Sequence, residues 1–212
     1  MRAMRRRVLG LVVGGALAIT SGLAVAELRP GVDFRVLKNR QNTEVAPGKI
    51  EVIEFFWYGC PHCNTLDPIV RKWEKTLAPD VVFRHVHVMF REPAHQQLHY
   101  TLEALDKADE LGPKVFEAMH VEKNPMNSAS KIADWATKFG IDRKQFTQVW
   151  DSFSVRTRMR KATQTMEAYG IDGVPAFAVN GKYFTSPSMV GSNEGVLKVI
   201  DELVARERAG RK

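Results

Sequence analysis

The sequence predicts an α/β protein in which a helical block interrupts a β-α-β … β-β-α frame. Three observations carry this reading. Residues 50 to 57, Ile-Glu-Val-Ile-Glu-Phe-Phe-Trp, form an apolar run with no clear polar face. From about residue 94 to 168 the apolar spacing is helical and strand signals are missing. Strand patterning then returns around an Asn180-Gly181 turn.

The first run reads as a central strand of a covered sheet, because strands buried on both faces lose their alternation. Leu66, Ile69, Val70, Trp73 and Leu77 then recur at helical spacing, and Ala78-Pro79-Asp80 stops the helix. Residues 81 to 89, VVFRHVHVM, supply a second strand. A strand-helix-strand crossover implies a parallel pair. Three stripes follow in the helical block. The first holds Leu98, Leu102, Leu105 and Leu111. The second holds Ile132, Trp135, Ala136 and Phe139 and ends at Gly140. The third holds Phe146, Val149, Trp150 and Phe153, with Asp142 as N-cap. Asn180-Gly181 between Ala176–Val179 and Lys182–Phe184 is a hairpin signal. A last helix carries Val196, Leu197, Ile200, Leu203 and Val204, capped by Ser192 or Asn193.

Composition narrows the class. The 212 residues are 44% hydrophobic and 26% charged, enough for a substantial core. Two cysteines exclude a disulfide-framework scaffold and a four-cysteine zinc site. The net charge of +7 owes much to the first 26 residues, whose four arginines (Arg2, Arg5, Arg6, Arg7) face no acid. Without them the balance is +3, and the basic residues are dispersed among acids, which argues against nucleic-acid binding. That same segment has the three-part plan of an export signal: MRAMRRR, the apolar run Val8–Ile19, then Ala24-Val25-Ala26. The run is short and rich in Gly and Ala, so cleavage after Ala26 is favoured over a retained anchor. No second stretch reads as long enough to span a bilayer. The expected mature protein is soluble, periplasmic and without stable membrane insertion, in a compartment where disulfides persist.

Both cysteines lie in Cys60-Pro61-His62-Cys63, between the buried strand and its helix. The first turn of a helix has unpaired N–H groups and a partial positive charge, which stabilise a thiolate at Cys60. His62 adds an imidazole beside it, and Pro61 fixes the early helical backbone without losing a ladder donor. Each unit by which the thiol pKa falls favours the thiolate by about 1.4 kcal/mol. That stabilises the dithiol form and makes the disulfide a stronger oxidant. Cys63, one turn further in, is expected to be more buried and less reactive. Haem attachment is excluded because Asn64 follows the second cysteine. A metal held by the two cysteines and a histidine is a weaker alternative, and no metal is expected. A purely structural disulfide is weaker still, since so small a loop removes little chain entropy.

Two further features fall near the motif. Glu54 sits in the apolar strand six residues before Cys60. Burial there disfavours the charged form and suits a carboxyl that shuttles protons to or from Cys63. Gly173-Val174-Pro175 precedes a strand, and a cis Val174–Pro175 bond would present the Val174 backbone to an extended peptide. Trp57 and Tyr58 either receive substrate at the surface or pack beneath the motif. His85 and His87 read as ordinary residues on one strand face.

Together FFWYGCPHC, Glu54, GVPAFAVNGKYF and the helical insertion resemble the thiol oxidases of the DsbA family, over residues 33 to 207 or so. Thioredoxins themselves usually carry CGPC. The resemblance implies a thioredoxin fold, a central mixed sheet flanked by helices, over 27–93 and 169–212, with an inserted all-helical domain at 94–168. It implies a periplasmic dithiol oxidase with no cofactor beyond a Cys60–Cys63 disulfide. The expected clients are unfolded exported proteins with cysteine pairs, and the expected reoxidant is a DsbB-like, quinone-linked membrane partner. By position, Cys60 is the nucleophile and exposed sulfur, Cys63 the resolving thiol, and His62 the residue that tunes the thiolate. Glu54 is the buried acid and Pro175 the cis-proline facing the motif. Asp67 falls where relatives often carry an acid, and Arg84–His87 follows them only loosely. A disulfide isomerase or reductase, and a peptide-binding holdase or metal carrier, are the competing functions. No heptad pattern argues for self-association, so a monomer is expected.

Overall fold

The run at residue 50 becomes an interior strand of a five-stranded mixed sheet. The chain is described by a computed structural model over residues 28–210; the expected export signal at 1–26 lies outside the described residues. In chain order the strands are β1 (Arg35–Val36), β2 (Ile50–Phe56), β3 (Val81–His87), β4 (Ala176–Val179) and β5 (Tyr183–Thr185). The sheet order is β1-β5-β4-β2-β3. β2 pairs in parallel with β3, placing Glu54 opposite His85 and Phe56 opposite His87. It pairs antiparallel with β4, and β5 and β1 extend the antiparallel side. All seven β2 residues are buried, which is why the sequence shows no polar face there.

Helices cover both faces of this sheet. α1 (Pro61–Glu74) makes the crossover from β2 to β3. It packs Leu66, Val70 and Trp73 with Ile50, Val52 and the C-terminal helix, which runs from Asn193 to Ala209. The helical block is α2 (Pro93–Ala104), α3 (Ala108–His120), α4 (Ala129–Thr137), α5 (Arg143–Trp150) and α6 (Phe153–Tyr169). A short α7 (Pro187–Val190) precedes the C-terminal helix, α8. α2 to α5 share a core of their own, entered from the sheet by Phe56 and Tyr58. α6 instead places Val155, Ala162 and Tyr169 against Ile53 and Phe55 on the opposite sheet face. Among the described residues no helix is long and apolar enough to cross a membrane.

Side chains set the boundaries. Asp142 caps α5 by accepting the Gln145 N–H at 2.8 Å, and Ser192 caps α8 by accepting from Gly195 at 3.0 Å. The third stripe, however, does not run on to Phe153. Ser152 accepts the Val155 N–H and opens a new helix, leaving Phe153 70% exposed instead of in the core. The first stripe is likewise broken, between α2 and α3, at Asp106, whose φ is 56°. In both places a short break re-aims the chain while the apolar spacing continues across it. The hairpin turn has positive φ at Asn180 and Gly181, closed by the Lys182 N–H on the Val179 carbonyl at 3.0 Å. A Cβ at Gly181 would run into the Gln41 carbonyl. The turn is tied to α8 by buried Glu207, which accepts from Asn180 at 2.6 Å and Lys182 at 2.9 Å.

Leu66 is fully buried where α1 meets the sheet. Leu66→Ala should therefore cost about 2–5 kcal/mol of unfolding free energy in equilibrium denaturation.

Candidate active site

The end of β2 and the start of α1 present the two cysteines differently. Cys60 is the N-cap residue of α1, with extended backbone, and Pro61 follows in the first turn. The Cys60 N–H donates to the Trp57 carbonyl at 3.0 Å, closing the turn that leaves the strand. Cys60 is 7% exposed and Cys63 1%, and the two are not bonded. Cys60 is the reachable one, though less open than the exposed sulfur expected. Its pKa is lowered from 9.0 to about 6. A hydrogen bond from the Cys63 S–H is the main cause; burial opposes it, and the backbone N–H groups of Cys63 and His62 and the charge of His62 add to it. Cys63 is pushed well up, first by burial and then by the Cys60 sulfur it serves as donor, with the Glu54 charge also contributing. His62 lies exposed at the same helix tip.

The Val174–Pro175 bond is cis, and the Val174 carbonyl accepts from the Cys60 S–H at 3.4 Å. Next to it lies a groove of about 610 Å³ lined by His62, Val174, Pro175, Phe184, Met189 and Arg35. The cis-proline and the histidine line this groove, and the Cys60 sulfur reaches its edge at the Val174 carbonyl.

The aromatic pair before the motif divides. Tyr58 is 2% exposed and packs edge-on against Phe56 and Phe116. That burial takes it off any substrate surface and settles it beneath the motif. Trp57 is half-buried, and its indole N–H donates to His95 Nδ1 at 3.0 Å. Gly59 is needed here, because a Cβ would collide with the Trp57 ring.

Glu54 is 4% exposed in β2, so the water-facing edge position is excluded. It is ion-paired with His85 Nδ1 at 2.9 Å, a partner the sequence did not reveal. Burial works against a charged ring at His85, yet the Glu54 hydrogen bond and charge outweigh it and hold the pKa above 6.5. Asp67 holds Arg71 at 2.9 Å, and Arg71 reaches the Asp109 carbonyl of α3 at 3.0 Å. Asp67 thus acts through a link between α1 and the helical block.

Sequence reasoning passed over the histidines. His87 Nε2 accepts the Tyr58 N–H at 3.3 Å, and His120 Nε2 donates to the Tyr58 carbonyl at 2.8 Å. His95 donates to the Pro125 carbonyl at 2.8 Å. His87 and His99 stack with ring centroids 5.8 Å apart. Burial holds His87, His95 and His99 below the usual histidine range. The signal was the clustering of five of the six histidines between residues 85 and 120. Among the described residues no group of three or more His, Cys, Asp or Glu side chains is placed to hold a metal ion.

A thioredoxin-like sheet, with a vicinal dithiol at the tip of its crossover helix and a cis-proline beside it, defines a thiol:disulfide oxidoreductase. The family described as DSBA-like thioredoxin domain matches residues 51–194, and the chain belongs to it. It is 44% identical over 201 residues to the thiol:disulfide interchange protein DsbA of Bordetella parapertussis, covering 93% of this chain and 96% of that one. It is 35% identical over 217 residues to the DsbA of Azotobacter vinelandii, covering 98% and 100%. The crystal structure of Pseudomonas aeruginosa DsbA superposes with a TM-score of 0.82 at 35% identity, covering 85% of this chain and 95% of that one.

Two measurements follow. Thiolate absorbance of the reduced protein should titrate with a midpoint of about 6. Because the folded pKa lies below the unfolded value, the thiolate stabilises the reduced fold fully above pH 9 or so. That gain disappears as pH falls through about 6, while the oxidised protein, lacking the thiol, shows no such change. The neutral histidines act in the opposite region of pH. Their folded pKa values lie below 6.5, so the unfolded chain protonates first and stability falls below about pH 6.5. His87→Gln keeps an acceptor for Tyr58, and it should reduce the loss of denaturant midpoint between pH 7.5 and 5.5.

Proposed function

We propose that this protein introduces disulfide bonds into newly exported polypeptides in the bacterial periplasm. The observation that supports this most is the asymmetry of the dithiol: a thiolate favoured at the reachable Cys60, and a proton held on the buried Cys63. In the oxidised protein a substrate thiolate attacks the Cys60 sulfur. The Cys60–Cys63 bond breaks, and Cys63 leaves with the electron pair and takes up a proton. A second substrate thiolate then attacks the substrate sulfur of the mixed disulfide. Cys60 leaves as a thiolate, and its low pKa makes it a good leaving group. The substrate is oxidised by two electrons and the protein is reduced by two.

Roles follow from placement. Cys60 is the nucleophile and Cys63 the resolving thiol. Pro61 and His62 shape and charge the helix tip, and Glu54 is the acid that serves Cys63. Val174 offers its backbone to an extended peptide in the groove, where Pro175 flanks it, and Trp57, packed in the same clusters as Val174, supports that edge. Backbone pairing with few side-chain pockets suits unfolded clients of many sequences. In this reading the thioredoxin-like body is 27–93 and 169–212, with 94–168 inserted, and the protein acts as a monomer. A quinone-linked, DsbB-like membrane oxidase regenerates the disulfide, and no cofactor is bound.

The test uses a reduced, unfolded protein with two cysteines. Stoichiometric oxidised enzyme should transfer its disulfide at pH 7. Cys60→Ser and Cys63→Ser should each abolish transfer, because neither variant can carry the internal disulfide. Retention of transfer by Cys60→Ser would overturn the reading.

A further inference from the structure

The groove beside Cys60 is mostly apolar, but its far wall carries a guanidinium. Arg35 of β1 lines it together with Val174, Pro175 and Phe184. The guanidinium carbon sits 4.0 Å from the centre of the Phe184 ring, and Phe184 is the residue opposite Arg35 in the β1–β5 ladder. Stacking of this kind fixes the head of a long side chain and leaves its N–H edge able to donate. Among the described residues Arg35 has no carboxylate in ion-pair reach, whereas Arg71, Arg84 and Arg158 each hold one. A second hollow, of about 390 Å³, adjoins Arg35 along β1 and the end of α6, and Arg35 is the one residue common to the two linings.

We propose that Arg35 is a specificity-determining residue, pairing with a client carboxylate about four residues from the cysteine that reacts at Cys60. The proposal rests on the dithiol-exchange reading above and names the kind of client segment the groove favours. A client cysteine at Cys60 lies beside the Val174 carbonyl, which is 3.4 Å from the Cys60 sulfur. From there to Arg35 the client crosses two strand spacings, β4 to β5 to β1, about 10 Å in all. It also moves about 10 Å along the strands, because Arg35 is opposite Phe184, and Phe184 is opposite Ala178, three residues beyond Pro175. The diagonal is about 14 Å, or about four residues of extended chain at about 3.3 Å each.

The other charges of the groove divide by position. His62 and Asp172 line the end that holds the helix tip and the cis-proline loop. Lys38 and Glu167 lie in the adjoining hollow. A carboxylate four residues from the cysteine is past Asp172 and reaches Arg35. The guanidinium meets it with charge-assisted hydrogen bonds, and its stacked setting lowers the ordering cost of forming them. Arg35 is exposed before the client arrives, so the pair has the modest strength of a surface ion pair. The result is a preference among clients and not a requirement, in keeping with a groove that accepts many sequences.

The experiment measures how fast the oxidised protein loses its Cys60–Cys63 disulfide to two-cysteine peptides, by acid quench and mass spectrometry. The peptides are end-capped and otherwise uncharged, and each carries one Glu, Gln or Lys at a set distance from the nearer cysteine, on either side. Each rate is divided by that peptide's rate with a neutral aromatic disulfide, which removes the effect of the added charge on the thiol itself. Glu should outpace Gln by about threefold, and Lys should fall below it, with the preference greatest about four residues from the cysteine. In Arg35→Gln the Glu-to-Gln ratio should drop to about one, and in Arg35→Glu the peptides with Lys should become the faster ones. In the native protein the ratio should shrink toward one as salt rises from about 0.02 to about 0.5 M, a reading that needs no variant. Equal normalised rates for Glu and Gln at every distance, a native ratio in Arg35→Gln, no reversal in Arg35→Glu, or a ratio indifferent to salt would each overturn the proposal. If no peptide opened the disulfide of the native protein, the exchange reading itself would fail, a result distinct from these.

Discussion

The structure is organised around one electrostatic arrangement, a sulfur anion held at the N-terminal tip of α1. That tip exists because β2 ends in a tight turn, the Cys60 N–H closing on the Trp57 carbonyl, and Pro61 starts a helix immediately. The helix leaves its first N–H groups without partners, and Cys60 occupies the position where they converge. Cys63 then falls one turn inward and donates a hydrogen bond from its S–H to the same anion. The stability of the anion makes the dithiol state favourable, and hence the disulfide willing to be given away.

The sheet and the helical block meet around a layer of aromatic and imidazole rings. Phe56 lies edge-on to His85, His87 and His99, and the backbone of Tyr58 is bonded on both sides by His87 and His120. This layer fixes the segment leading to the motif from the helical side, while Arg71 links α1 to α3. Because several of these rings are buried neutral, the framework behind the active site is sensitive to acid. The Glu54–His85 pair is the exception. It favours the charged imidazole and lines the small cavity beside Cys63.

Much of the frame was legible in order and type. β2, α1 and β3 follow from an unbroken apolar run, helical spacing and a second run. The Asn180-Gly181 hairpin follows from residues that accept positive φ. Asp142 and Ser192 mark helix starts by local hydrogen bonds, so they are readable without the fold. Phe153 was misplaced because a helix break preserves apolar spacing while rotating the following face. β1 and α7 were missed because two and four residues are too short for a periodic signal.

The sequence by itself determined the chemistry: two cysteines at CxxC spacing, set between a buried strand and a helix, admit little other than thiol exchange. The reason is local, since the strand, the turn and the first helical residues are contiguous in the chain. Only the tertiary structure decided what surrounds the thiols. It brought Pro175 and the Val174 carbonyl to Cys60 across 114 positions, buried Tyr58, and paired Glu54 with His85 across neighbouring strands. Such pairings depend on strand order and register, and alternating histidines in one strand carry no mark of which carboxylate lies opposite.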